Sequence, residues 1–324
     1  MKSLITGVDG FVGSYLAKFL LRAGDEVFGT VLHQDHVENI PDIKDKIAIK
    51  ICDIRDKQQI KEVLATVRPD KIFHLAAQSN IPFSWKNMSE TFAVNVMGSI
   101  YLLEALAEIQ LNKVKVLMVC SGLEYGNSAD SNAVITETTS LSPHNPYAVS
   151  KTAVDWISQQ CYINSGLHII RSRSFNHSGP GQNSSFVISD FSKQIAEIEK
   201  GLKGPVIEVG NIDTYRDFTD VRDVVAAYEL LLAHGEPGEV YNVASGNLYN
   251  IKVILDKLLA LSEREIEVKV DPNKFRPNKF RPTEVKTSSI DIGKIKKITG
   301  WMPKITIEQT LADTLNWWRG KIFN

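Results

Sequence analysis

Tyr147-Ala-Val-Ser-Lys151 sets a phenol and an ammonium four residues apart. On a helix that is about one turn, so the two side chains share a face. A free tyrosine titrates near pH ~10 and exchanges protons poorly at neutral pH. A neighbouring ammonium favours the phenolate, which lowers that pKa and makes the group a better proton donor and a usable base. Ser121 closes an apolar run and offers a hydroxyl that can bond the same substrate oxygen. These residue types suit proton transfer at a carbon–oxygen bond.

A second motif suggests where hydride would come from. Gly7-Val-Asp-Gly10-Phe-Val-Gly13 follows a short apolar run and opens a helical pattern. Gly7 permits a tight turn, Gly10 the close approach of a pyrophosphate, and Gly13 tight helix–strand packing. The anion then rests on the free N–H groups of the helix N-terminus. The second strand, Val27-Phe-Gly-Thr-Val-Leu-His33, lacks the terminal acid that NAD sites use for the ribose 2′-OH. A carboxylate there would repel a 2′-phosphate, so NADP(H) is favoured over NAD(H). No arginine is seen to grip that phosphate, and Thr30 and His33 are the available polar groups. Asp53 and Ile54, after the third strand, border the expected adenine position.

The elements that must position these groups alternate along the chain. Apolar runs at 4–6, 26–31, 47–52, 71–76, 114–120 and 168–174 predict strands. Helical periodicity covers 13–23, 58–66, 90–109 and 147–165. The pattern predicts an α/β fold, a Rossmann-like doubly wound parallel sheet built from right-handed βαβ units. After Ser174 the texture changes to a polar, glycine-rich loop, Asn176 to Ser185. A helix at 221–234 and a strand at 239–244 would rejoin the sheet. The expected division is a dinucleotide-binding domain at 1–174 plus about 215–247. A smaller, partly interleaved C-terminal substrate lobe then takes about 175–214 plus 248–324. The tandem Lys-Phe-Arg-Pro copies at 274–282 read as a local duplication in a loop.

Composition narrows the class further. The 324 residues are 43% hydrophobic and carry a net charge of −1, with pI about 6.7. That balance gives no reason to expect a nucleic-acid surface. No apolar run reaches the ~18 residues of a membrane span, and no secretory pattern opens the chain. The three cysteines, Cys52, Cys120 and Cys161, lack CxxC spacing or histidine partners. Reduced thiols, no metal site and a cytoplasmic location are expected.

On these motifs the chain resembles the extended short-chain dehydrogenase/reductase family over nearly its whole length. The glycine turn matches the family's Gly-x-x-Gly-x-x-Gly. His74-Leu-Ala-Ala-Gln-Ser79, Asn95-Val-x-Gly98 and Arg173-x-Phe-Asn176-x-x-Gly-Pro180 match further segments. The resemblance implies catalytic roles for Ser121, Tyr147 and Lys151, with Lys151 also holding the nicotinamide ribose. It places Gly7, Gly10, Phe11, Val12, Gly13, Leu75, Ala76, Ala77 and Phe175 against the cofactor. It also implies a homodimer built through the helices at 90–109 and 147–165.

Within the family, sugar 4,6-dehydratases carry Thr-Asp-Glu or Thr-Ser-Glu around the serine or threonine, and the glutamate removes the C5 proton. Here the stretch is Ser121-Gly-Leu-Glu-Tyr125, and Leu123 occupies the glutamate's position. Glu124, on an extended segment, would point to the other side. Dehydration is disfavoured, and simple redox chemistry at C4 remains. The segments around 173–182, 187–195, 209–211 and 216–223, with Arg281-Pro-x-Glu284-Val285, resemble the GDP-4-keto-6-deoxy-D-mannose reductases. A GDP-sugar is therefore the expected substrate. Its diphosphate needs cations, and Lys193, Arg216 and Arg281 are the candidates. Arg276 competes with Arg281 because of the duplication. Ser79, Asn176, Val187 and Glu284 complete the expected substrate set. A nucleotide-sugar 4-epimerase and a non-catalytic NADP-binding regulator are the rival readings. Net cofactor consumption separates the first, and the effect of Tyr147→Phe separates the second.

Overall fold

The computed structural model describes the chain except residues 36, 38–39, 127, 129–133, 272–287 and 324. Seven strands form one sheet: β1 (Lys2–Thr6), β2 (Glu26–Val31), β3 (Ala48–Ile51), β4 (Lys71–His74), β5 (Lys115–Ser121), β6 (Ile169–Ser174) and a late strand, Val240–Val243. Their spatial order is the late strand, β6, β5, β4, β1, β2, β3, and every neighbouring pair is parallel. Strand order reverses between β1 and β4, and in open α/β sheets ligands bind where that happens, beyond the carboxyl ends of the strands. The expected doubly wound fold is met.

Helices cover both faces. α1 (Phe11–Arg22) and the helix Val221–His234 pack on one face around Leu16, Leu20, Phe73 and Tyr228. α2 (Lys57–Val67) and the helices Gly98–Glu108 and Pro146–Ser165 cover the other, around Leu64, Ile72, Leu102 and Val116. A separate apolar cluster joins Ile195, Ile254, Leu258, Leu311 and Leu315, from helices Val187–Glu199, Ile251–Leu259 and Ile307–Phe323. Among the described residues no helix is long and apolar enough to cross a membrane.

Two elements depart from the sequence reading. The run 90–109 is not one helix: a π-helical turn, Ala93–Met97, separates the short helix Met88–Phe92 from Gly98–Glu108. Such turns break the regular hydrogen-bond ladder and re-aim side chains. Strand Glu267–Val270, absent from the predicted strands, pairs in parallel with Val206–Val209. Glu265-Ile-Glu-Val-Lys-Val270 alternates charged and apolar residues, a strand signal that the sequence reading passed over.

Candidate active site

The glycine turn lies beyond β1. Gly7 has φ +70°, and its N–H donates to Thr30 O at 3.0 Å. A Cβ on Gly13 would sit 2.3 Å from Gly7 O, so only glycine fits there. A Cβ on Gly7 would approach Ala76 Cα to 3.1 Å, which packs the turn against the segment after β4. Thr6 Oγ1 fixes that segment by accepting from the N–H groups of Leu75 and Ala76, each at 3.1 Å. Gly10 caps α1 without any side-chain hydrogen bond, and the first turn holds no acid. A helix start with open N–H groups and no competing carboxylate fits a dinucleotide pyrophosphate.

Around the expected adenosine, Thr30 is buried and its hydroxyl accepts weakly from Gly7 N–H at 3.4 Å, so it faces the turn. His33 is exposed and close enough to Asp53 for its charge to be felt. Ile54 is buried. Arg55 supplies a cation that the sequence reading missed. Its guanidinium grips both oxygens of Asp53, with Nη2 at 2.6 Å from Oδ2, and Nη1 reaches Glu90 at 2.6 Å. Hydrogen bonds from Arg55 hold the Asp53 carboxyl below the usual carboxylate range. The signal was present: β3 pairs with β2 through Val31 and Ile51, so residues after β3 flank the end of β2.

The proton-handling group forms where the helix Pro146–Ser165 starts. Asn145 caps it by accepting from Ala148 N–H at 2.9 Å, and Pro146 opens the first turn. Tyr147 therefore stands in the first turn and Lys151 one turn later. Ser121 ends β5, and its hydroxyl is close enough to the Tyr147 phenol to favour the phenolate. Lys151 is buried, and its Nζ donates to Val119 O at 2.7 Å. Asn95, from the π-helical turn, braces this region. It donates to Gln78 O and to Ser150 Oγ and accepts from Gln78 N–H, at 3.0, 2.9 and 2.8 Å. His74 lies buried below, pushed down to about 3 by burial and by the Lys151 charge, so it is neutral.

Electrostatics correct the first expectation. Tyr147 is held well above the ordinary phenol value, because burial outweighs the pull of the nearby Ser121 hydroxyl, and an ionised Glu124 would add to the rise. One of the three Lys151 N–H donors goes to Val119 O, and burial lowers its pKa. The serine segment is corrected as well. Gly122–Glu124 is a 3₁₀ turn, not an extended stretch. Leu123 N–H donates to Ser121 Oγ at 3.2 Å, while Glu124 folds back to accept from Ser121 N–H at 2.7 Å. Gly122 has no room for a side chain, since a Cβ would meet the Phe175 ring at 2.7 Å.

Of the expected substrate residues that are described, Ser79 follows β4, Ser121 ends β5, and Asn176, Val187, Lys193 and Arg216 come after β6. Asn176 is exposed, and its amide donates to Asp217 O at 3.1 Å, which brings it beside Arg216. Arg216 Nη1 donates to Tyr215 O at 2.6 Å. Val187 starts the helix Val187–Glu199, and Lys193 lies farther along it, 3.6 Å from Glu197 and over the Trp318 ring. Ser79 is exposed after β4. His177 stacks on Phe11, linking the glycine turn to the loop after Phe175. Arg276, Arg281 and Glu284 lie outside the described residues.

A parallel seven-stranded sheet, a glycine turn at its switch point and a Ser–Tyr–Lys group define a dinucleotide-binding protein of the extended short-chain dehydrogenase/reductase type. The chain belongs to the GDP-mannose 4,6 dehydratase family, whose profile matches residues 4–314. It is 35% identical to the GDP-6-deoxy-D-mannose reductase of Pseudomonas aeruginosa, over 98% of this chain and 97% of that one. The structure of RMD from Pseudomonas aeruginosa complexed with NADPH superposes with a TM-score of 0.86 and 33% identity, covering 99% of each chain. UDP-glucose 4-epimerase of Thermus thermophilus, in complex with NAD, gives 0.85 and 26%, covering 99% of each chain.

Proposed function

We propose that the protein reduces the 4-keto group of GDP-4-keto-6-deoxy-D-mannose with NADPH, giving a GDP-6-deoxyhexose: GDP-D-rhamnose, or GDP-6-deoxy-D-talose as its C4 epimer. The observation that carries this reading is the Gly122–Glu124 turn. It sets Ser121 Oγ beside Tyr147 while folding Glu124 inward, and it leaves Leu123 where a dehydratase holds its base. Neither side chain can abstract the C5 proton: one is aliphatic, and the other is buried and committed to Ser121 N–H.

The bound nicotinamide supplies hydride to C4. The chain's own groups do the rest. The glycine turn and the start of α1 hold the pyrophosphate. Tyr147, kept protonated by its surroundings, gives its proton to the sugar's O4 as negative charge develops there, and Ser121 Oγ–H bonds the same oxygen. A raised phenol pKa keeps the proton in place at neutral pH but makes the phenol a weaker acid, so transfer waits until negative charge has built up on O4. Lys151 lies under the pair and is the group that would meet the nicotinamide ribose. Asn176, Arg216 and Lys193 would engage the nucleotide-sugar, whose remote binding positions C4.

Support for NADPH over NADH comes from the missing acid on β2 and from Arg55 beside its end. Arginine's fork matches phosphate oxygens, and a 2′-phosphate would compete with Asp53 and Glu90 for it. A homodimer is supported by an apolar stripe on the helix Pro146–Ser165. Val149, Trp156 and Ile163 recur every seven residues and are 39%, 53% and 60% exposed. A turnover assay with the 4-keto substrate and each reduced cofactor tests the activity, and NMR of the product assigns C4.

A further inference from the structure

We propose that Glu124 is a positioning residue of this site, its buried carboxyl fixing the turn that aims Ser121 Oγ at the oxygen receiving the Tyr147 proton. This rests on the reading of Ser121 and Tyr147 given above. Glu124 has no exposed surface, at a place where an aliphatic side chain would bury at no electrostatic cost. Its Oε1 accepts from Ser121 N–H, and Ser121 Oγ accepts from Leu123 N–H, so backbone and side chain lock each other reciprocally. Remove the carboxyl, and Ser121 keeps its hydroxyl but loses the partner of its buried N–H.

Glu124 also faces charge from every neighbouring strand and helix. Cys120 flanks it on β5, Arg173 Nε on β6 stands 3.7 Å from Oε2, and Tyr147, Lys151 and Asp155 approach from the helix Pro146–Ser165. Arg171 and Arg173 both bond Asp155, so the guanidinium charge is spent mainly there. Glu124 Oε2 is buried and has no hydrogen-bond partner. Burial first, and then the nearby Asp155 charge, push its carboxyl pKa up. Where Glu124 is ionised, its charge favours the neutral form of Tyr147.

Glu124→Ala and Glu124→Gln test the proposal with the full chain, NADPH and the 4-keto substrate. E124A should lower kcat about tenfold or more while KM moves less than about threefold. E124Q keeps an acceptor oxygen and should recover most of that loss. Its alkaline limb should move toward neutrality by roughly half a pH unit or more, because the charge that raises Tyr147 is gone. A folded E124A enzyme within about twofold of the parent kcat overturns the proposal. So does an E124Q alkaline limb that stays in place, and that result decides alone if E124A fails to fold. Failure of the underlying reading looks different: Tyr147→Phe would then retain activity, whereas failure of this proposal leaves Y147F inactive.

Discussion

At the residue scale, the role proposed for the Tyr147 phenol depends on its surroundings more than on the lysine one turn away. Burial holds it protonated, Ser121 pulls the other way, and an ionised Glu124 would add to the rise. Tyr147→Phe keeps the ring and removes the proton. It should lower kcat by about 10² to 10⁴-fold with little change in cofactor affinity, read by stopped turnover and by NADPH fluorescence titration. The sign of the pH dependence follows: the proton donor is intact through neutral pH, and reduction should fall only on the alkaline side as the phenol ionises. The Tyr147–Lys151 spacing was legible in the sequence, and so was the Ser121 hydroxyl. The direction of the phenol's shift was not, because it depends on burial and on Glu124, which only folding brings close.

At the scale of elements, the sheet decides which residues meet. The bounds of β2 and of the helix Val221–His234 followed directly from apolar runs and periodicity. The turn at Gly122–Glu124 did not, since a glycine between a strand and a leucine is compatible with an extended course as well. Nor did the π-helical turn, whose residues keep helical spacing and hydrophobicity while Asn95 reaches across to Gln78 and Ser150. Arg55 belongs to the same class: it is remote from β2 in sequence and joins it through the edge pairing of β3. Arg55→Ala should weaken NADPH binding about tenfold and leave NADH binding nearly unchanged, measured by calorimetric titration of each cofactor. Equal losses for both would assign Arg55 to bracing Asp53 instead.

At the scale of the whole molecule, two buried clusters sandwich the sheet and a third joins the helices Val187–Glu199, Ile251–Leu259 and Ile307–Phe323. The site lies where the loops after β1, β4, β5 and β6 converge, which is why one chain can carry both hydride and proton chemistry. The exposed stripe Val149–Trp156–Ile163 runs along the same helix that starts with Tyr147. Association through that face would buttress the proton donor from behind. Trp156→Glu buries a charge in such a contact and should convert a dimer to a monomer in sedimentation velocity, with the catalytic group itself untouched. A parent protein that sediments as a monomer at micromolar concentration would remove that expectation.

The most direct measurement is turnover of GDP-4-keto-6-deoxy-D-mannose with NADPH or NADH, followed by cofactor absorbance and by NMR of the sugar. Stoichiometric loss of NADPH with conversion of the C4 carbonyl to an alcohol is the predicted result. No oxidation of either cofactor, or a change at C4 with no net consumption, would contradict it.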